Sequence, residues 1–314
     1  MKRRNIIIIC GFLLFFLLSQ FLLIGKGKEQ IKKKHTNEKN HQKIKQLFSY
    51  DKNRPINPTV IDRIEKPEFF REKILFFNGP NFQVYGYLAV PKIKSPPYPC
   101  VLQIHGLQGS KSDWWRDDAF MKGNLITKGL LSSGISVLAL DARFYRKDKN
   151  EIFTFNTQEL LPMFIDSTID YRRAIDYLAT RPEIDMSKVG VIGYSIGGVM
   201  TFVLSAVEPR IKAAAACVTP NLSRFPIFQN QRNKEVKNQL IGVNPFNLAG
   251  LIKNLPFLML MGRFDSYCSE EEANHLYNLV ESSQKKIIFY NRGHFLHNNY
   301  VSDAVKWFKK YLDE

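Results

Sequence analysis

The sequence predicts an α/β protein whose central sheet is mostly parallel and carries helices on both faces. Three observations predict it. Short apolar runs at 100–104, 135–140, 189–194, 211–218 and 256–262 alternate with longer segments of helical length. Runs of that kind suit strands covered on both sides, because no position needs to face water. The second observation is Gly193-Tyr194-Ser195-Ile196-Gly197, at the junction of one such run with a charge-free stretch, Val199 to Val207. The third is that an aspartate and a histidine, Asp265 and His294, closely follow later strand-like runs.

In chain order, Lys2-Arg3-Arg4 precede Ile6 to Ile24, 19 residues without a charge, interrupted only by Cys10, Gly11, Ser19 and Gln20. At about 1.5 Å per residue such a helix spans about 29 Å, roughly the hydrocarbon thickness of a bilayer. Residues 1–25 are therefore expected to be a transmembrane anchor or signal segment that enters the membrane through residues 6–24. A signal peptide has a shorter apolar region and small residues at its cleavage point, whereas Leu22-Leu23-Ile24-Gly25-Lys26 has no Ala-x-Ala pattern. An uncleaved anchor is the favoured expectation, and a secreted chain follows if the segment is removed. Both flanks are basic, with eight lysines in Lys26 to Lys45, so the positive-inside rule leaves orientation open. A short basic N-terminus before one span resembles an export signal, which favours a body facing outward, periplasmic or extracellular.

Charge is unevenly spread. The chain of 314 residues has a formal charge of +16, and residues 1–50 hold 11 Lys/Arg against two Glu. Residues 26–50 read as a basic tether suited to anionic lipid head groups, or simply as a solvated linker. No nucleic-acid partner is expected, because no helix-turn-helix, zinc or aromatic-platform pattern accompanies the charge. Four cysteines in a chain this long make no disulfide framework and are expected as free thiols.

Residues 51–314 read as one domain. Pro55, Pro58 and Pro67 mark a segment that wraps the body. Glu72 to Phe77 and Phe82 to Val90 form an antiparallel pair joined at Asn78-Gly79-Pro80-Asn81. Strands at 100–104 and 135–140 bracket a helix near Ala119 to Leu131. A helix near Phe164 to Thr180 precedes the Ser195 strand and its own helix, and Ile211 to Val218 is the next strand. Residues 219–254, with Pro220, Pro226 and Pro245, break the rhythm and are expected as a small cap or lid. Pro256 to Gly262, a helix near Ser269 to Glu281, a strand from Lys286 to Tyr290 and a helix from Tyr300 to Leu312 complete the order.

A Gly-x-Ser-x-Gly turn between strand and helix holds its serine on a sharp corner, hydroxyl outward, and the flanking glycines allow the close packing this requires. Such a hydroxyl needs a base to take its proton, and the base needs an orienting group. Asp265 and His294 follow strands whose carboxyl ends share the edge occupied by Ser195, in the chain order Ser, Asp, His. Asp265 has the competing reading of a cap for the helix near Ser269, and His297 is a rival base. The backbone N–H groups of Leu107 and Ile196 are the candidates to receive a developing oxyanion. His105 is read as a structural histidine bracing the loop.

His105-Gly106-Leu107-Gln108-Gly109-Ser110-Lys111-Ser112-Asp113-Trp114-Trp115, Asp141-Ala142-Arg143, Asp185 to Gly198 and Gly262-Arg263-Phe264-Asp265 together resemble the α/β-hydrolase superfamily. Within it they are most similar to the dienelactone-hydrolase-like and acetyl-xylan-esterase-like branch, over roughly Phe82 to Leu312. The resemblance implies a serine esterase of small or medium carboxylic esters, working through an acyl-enzyme. Its roles fall on Ser195 as nucleophile, Asp265 as acid, His294 as base, and Leu107 and Ile196 as oxyanion donors. No metal or organic cofactor is implied. Dienelactone hydrolases proper use cysteine where this chain has Ser195. Arg143-Phe144-Tyr145-Arg146-Lys147 stands where relatives often have a glycine-rich loop, and there is no room for the propeller of prolyl-oligopeptidase relatives. A peptidase or amidase on the same three residues is the alternative enzyme, and a non-catalytic binding protein retaining the fold is the alternative of another class. Neither the substrate's acyl and alcohol groups nor the oligomeric state is written in the sequence.

Overall fold

In the computed structural model, residues 41–77, 82–143, 157–225 and 242–313 are described. The chain divides into two compact units, residues 1–46 and 47–314. Of the first unit only 41–46 are described, as helix. The expected span at 6–24, most of the tether and the Asn78–Asn81 turn lie outside the described residues. Among the described residues, no helix is long and apolar enough to cross a membrane.

The second unit carries nine strands: β1 (Thr59–Glu65), β2 (Phe69–Phe77), β3 (Gln83–Pro91), β4 (Tyr98–Ile104), β5 (Ser136–Leu140), β6 (Ile184–Tyr194), β7 (Ile211–Cys217), β8 (Phe257–Gly262) and β9 (Lys285–Tyr290). They form one sheet in the order β1-β2-β3-β5-β4-β6-β7-β8-β9. β1, β2, β3 and β5 pair antiparallel, and from β5 to β9 every pairing is parallel. The connecting helices are α1 (Gly123–Ser132), α2 (Thr157–Leu178), α3 (Ile196–Val207), α4 (Glu270–Leu279) and α5 (Val301–Phe308), the last followed by a π-helical turn at Lys309–Asp313.

Every residue of β4, β5 and β8 is buried, which is why these strands are almost wholly apolar; the buried amide of Gln103 in β4 donates to Thr127 Oγ1 at 2.9 Å. On one face Val101, Val137, Ile192 and Leu258 pack with Ile126 and Leu130 of α1 and with Trp307 and Phe308 of α5. Successive strand residues point to opposite faces, and the other face receives α3, where Phe202 meets Phe257 at a ring separation of 4.6 Å.

Of the boundaries that differ from the sequence expectation, three have a visible physical cause. β1 lies where only a wrapping segment was expected. Six of its seven residues are exposed, so an edge strand wet on both sides carries no hydrophobic alternation to read. α2 begins at Thr157, several residues before Phe164, with Pro162 inside its second turn rather than at its boundary. The body begins at Leu47 rather than residue 51. Phe48 is fully buried, and arginines of α2 hold the segment by its carbonyls: Arg172 donates to Phe48 O at 2.5 Å and Arg173 to Arg54 O at 2.9 Å. Backbone carbonyls leave no trace in residue type, so that attachment was invisible in sequence.

Candidate active site

Ser195 sits between β6 and α3 at φ 58° and ψ −117°, a conformation that L residues avoid and that a tightly determined surrounding must impose. The surrounding is backbone. A β-carbon on Gly193 would lie 1.9 Å from Gly197 O, and one on Gly197 would lie 2.3 Å from Ile104 O. The Ser195 N–H donates to Cys217 O at 2.9 Å, fixing the corner to the neighbouring strand.

Asp265 follows β8 and is 4% exposed. One carboxylate oxygen accepts from Tyr267 N at 2.9 Å, and the other lies 2.8 Å from His294 Nδ1. His294 follows β9, and its Nε2 lies 2.9 Å from Ser195 Oγ. An ionised carboxylate only accepts hydrogen bonds. Nδ1 therefore carries the ring proton, and the Nε2 lone pair faces the serine hydroxyl. The structure brings together the three residues that the sequence singled out. Asp265 is not the helix cap: Ser269 caps α4, in a reciprocal pair with Glu272. His297, the rival base, is exposed at φ 54°.

Ile196 opens α3, so its N–H belongs to the first turn, which has no intrahelical acceptors. Leu107 lines the same cavity as Ser195, and the adjoining backbone runs close by: a β-carbon on Gly106 would stand 3.6 Å from Ser195 Cβ. Both expected donors thus border the serine. Their loop is braced as expected by His105, which is fully buried. His105 Nδ1 donates to Gly106 O at 2.7 Å, and its Nε2 accepts from Ala142 N at 3.0 Å. Burial holds the His105 ring below its ordinary pKa of 6.5. Lys111 Nζ and Asp141 Oδ2, 2.5 Å apart and largely buried, tie the same loop to the end of β5.

Two features were not foreseen. Tyr194 donates its hydroxyl to His294 O at 2.7 Å and accepts from Leu296 N at 3.2 Å. It occupies the variable position before the serine, and nothing in its neighbours announces a partner 100 residues away. Gly262 ends β8 where the His294 loop crosses: a β-carbon there would be 2.1 Å from Gly293 O and 2.7 Å from Arg292 O.

Above the serine lies a cavity of about 430 Å3 bordered by Leu107, Ile196, Leu222, Phe225, Tyr267 and Phe295, among others. Leu222 and Phe225 come from the expected cap, of which residues 219–225 and 242–254 are described. Cys100, Cys217 and Cys268 are buried free thiols, and burial pushes Cys268 up to about 12. Among the described residues, no group of three or more His, Cys, Asp or Glu could hold a metal ion.

The family model described as acetyl xylan esterase (AXE1) matches residues 72–235. The chain is 28% identical over 183 residues to a putative hydrolase, YtaP, of Bacillus subtilis (strain 168), covering 56% of this chain and 61% of the relative. It is 25% identical over 252 residues to the acetyl esterase Axe7A of Xylanibacter ruminicola, covering 72% of this chain and 56% of the relative. It thus spans less than two thirds of the length of these relatives. Among solved structures, acetyl xylan esterase 1 from Thermoanaerobacterium sp. JW/SL YS485 superposes with a TM-score of 0.68 at 19% identity, covering 87% of this chain and 93% of that one. The acetyl xylan esterase from Paenibacillus sp. R4 does so with the same TM-score at 18% identity and the same coverage of both chains.

Proposed function

Because the chain belongs to the acetyl xylan esterase family, we propose that it hydrolyses carboxylic esters through an acyl-enzyme formed on Ser195. The observation that supports this most is the continuous hydrogen-bonded line from Asp265 Oδ2 through His294 to Ser195 Oγ, at 2.8 and 2.9 Å. Ser195 Oγ attacks the ester carbonyl carbon while its proton passes to His294 Nε2. Asp265 holds the imidazole in the accepting tautomer and stabilises the imidazolium that forms. The carbonyl electron pair moves onto oxygen, where the N–H groups of Leu107 and Ile196 receive it; a single donor of this kind is worth about 3 kcal/mol. As the intermediate collapses, the bond to the alcohol oxygen breaks and His294 returns the proton to that oxygen. Water then repeats the sequence on the acyl-serine, releasing the acid and restoring Ser195.

Ser195→Ala tests this reading. It should lower kcat on p-nitrophenyl acetate by roughly 10^4-fold or more and abolish labelling by a fluorophosphonate. Equal turnover by the two proteins would end the proposal. The uncharged run at 6–24 supports attachment to a membrane, with the hydrolase body outward. Release of the full chain from washed membranes by salt alone would refute the attachment.

A further inference from the structure

Two aromatic pairs border the Ser195 cavity. Phe120 and Phe295 meet edge to face with centroids 5.0 Å apart, and Phe225 and Tyr267 stack at 5.9 Å with planes 8° apart. Both pairs reach the reacting imidazole: Tyr267 stands edge-on to His294 at 4.7 Å and Phe295 at 6.1 Å. Among the described lining residues only His294 carries an acidic or basic chain, and beyond Ser195 and His294 only Gln108 and Tyr267 offer side-chain hydrogen bonds. A pocket for a polyhydroxylated ring needs partners for each hydroxyl it buries, since every unpaired one weakens binding. The described walls supply almost none. A cavity of about 430 Å3 falls in the range of small-molecule pockets, about 300–1,000 Å3, and is larger than a two-carbon acyl group needs.

Resting on the esterase reading, we propose that this site selects its substrate by an apolar group of medium length, about six to ten carbons on one side of the scissile bond, held between the two aromatic pairs, and not by a sugar. Each methylene withdrawn from water between such walls should raise kcat/KM about fourfold.

The test uses the full chain and two homologous series followed by acid release: ethyl esters from acetate to decanoate, and acetates from ethyl to decyl. The expected result is a fourfold rise per carbon over at least three successive carbons in one series. Phe120→Ala and Phe225→Ala should flatten that slope to about twofold or less. A slope is a ratio within one preparation, so a poorly folded variant does not imitate the effect. A preference for the shortest ester in both series, unchanged slopes in both variants, or faster hydrolysis of an acetylated xylo-oligosaccharide than of any aliphatic ester would overturn the inference while leaving the esterase reading intact. Failure of the wild type on every ester, with Ser195 unlabelled by fluorophosphonate, would overturn both.

Discussion

Gly262→Ala adds one methyl group at the point where the loops of Asp265 and His294 cross. The new carbon would start 2.1 Å from Gly293 O, and carbon and oxygen in such contacts normally stand about 3.3 Å apart. The two backbones must therefore separate by about 1.2 Å. No rotamer change relieves the contact, because both obstructing atoms, Gly293 O and Arg292 O, belong to the main chain. Gly293 precedes His294, so the displacement is passed directly to the imidazole, whose two hydrogen bonds are 2.8 and 2.9 Å long. A misplacement of about 1 Å costs about 10^2-fold in rate, or about 2.7 kcal/mol of barrier. The assay is kcat/KM on p-nitrophenyl acetate, normalised to the folded fraction found by thermal denaturation. The loss should fall mainly on kcat, since the cavity walls of the cap are untouched. A normalised kcat/KM within threefold of wild type would refute the idea that this crossing sets the triad.

Three further outcomes are expected. Asp265→Asn leaves a group that can donate to Nδ1 and so favours the tautomer with its proton on Nε2; kcat should fall by about 10^4-fold with little change in melting temperature, and a loss under tenfold would argue against the orienting role. Tyr194→Phe removes the hydroxyl that serves both His294 O and Leu296 N. Urea denaturation should show a loss of about 1–3 kcal/mol, because a buried N–H is left without its partner, and unchanged stability would contradict the geometry. For His105, whose folded pKa lies below its ordinary 6.5, the unfolded chain binds a proton that the native ring resists. Its contribution to stability is thus complete above about pH 6.5 and is lost as pH falls below that value. Denaturation of His105→Gln across pH 5 to 8 should show an acid-side slope shallower than wild type by up to about 1.4 kcal/mol per pH unit; an identical slope would show that the ring charges freely in the native state.

Where a residue's environment is decided by its own neighbours in sequence, the chain was legible. β4, β5 and β8 are buried throughout, so their apolar runs could have no other use. Ser195 was legible because its two glycines are required by contacts within the turn and with the adjacent strand. Asp265 and His294 were legible because parallel strands present their carboxyl ends at one edge, making position after a strand a statement about location. The rest depends on meetings across long separations. β1 lacks a buried side to impose a pattern, the arginines of α2 grip carbonyls that any residue supplies, and Tyr194 serves a loop that residue type cannot foretell. The aromatic pairs are of the same kind: Phe120 and Phe295 are far apart in sequence and acquire meaning only as neighbours.

The sheet order also explains why the histidine loop needs fixed points. β9 lies three places from β6, a separation of about 14 Å at ~4.8 Å per strand. Only four peptide steps join Tyr290, the last residue of β9, to His294, and fully extended they reach about 13 Å. The chain crosses the end of β8 on its way to Ser195, with Phe264 N donating to Arg292 O at 2.9 Å and Gly293 O lying over Gly262. Having arrived, it must hold its ring against thermal motion, and the Tyr194 hydroxyl, carried on the residue beside the nucleophile, clasps it on both sides of Phe295 through His294 O and Leu296 N. Glycine at the crossing and tyrosine at the destination are thus two parts of one constraint. It follows that Gly262→Ala and Tyr194→Phe should couple: the double variant should lose less activity than the product of the two single losses, because either change alone already frees the ring. Strictly multiplicative losses would show that the two contacts position the histidine independently.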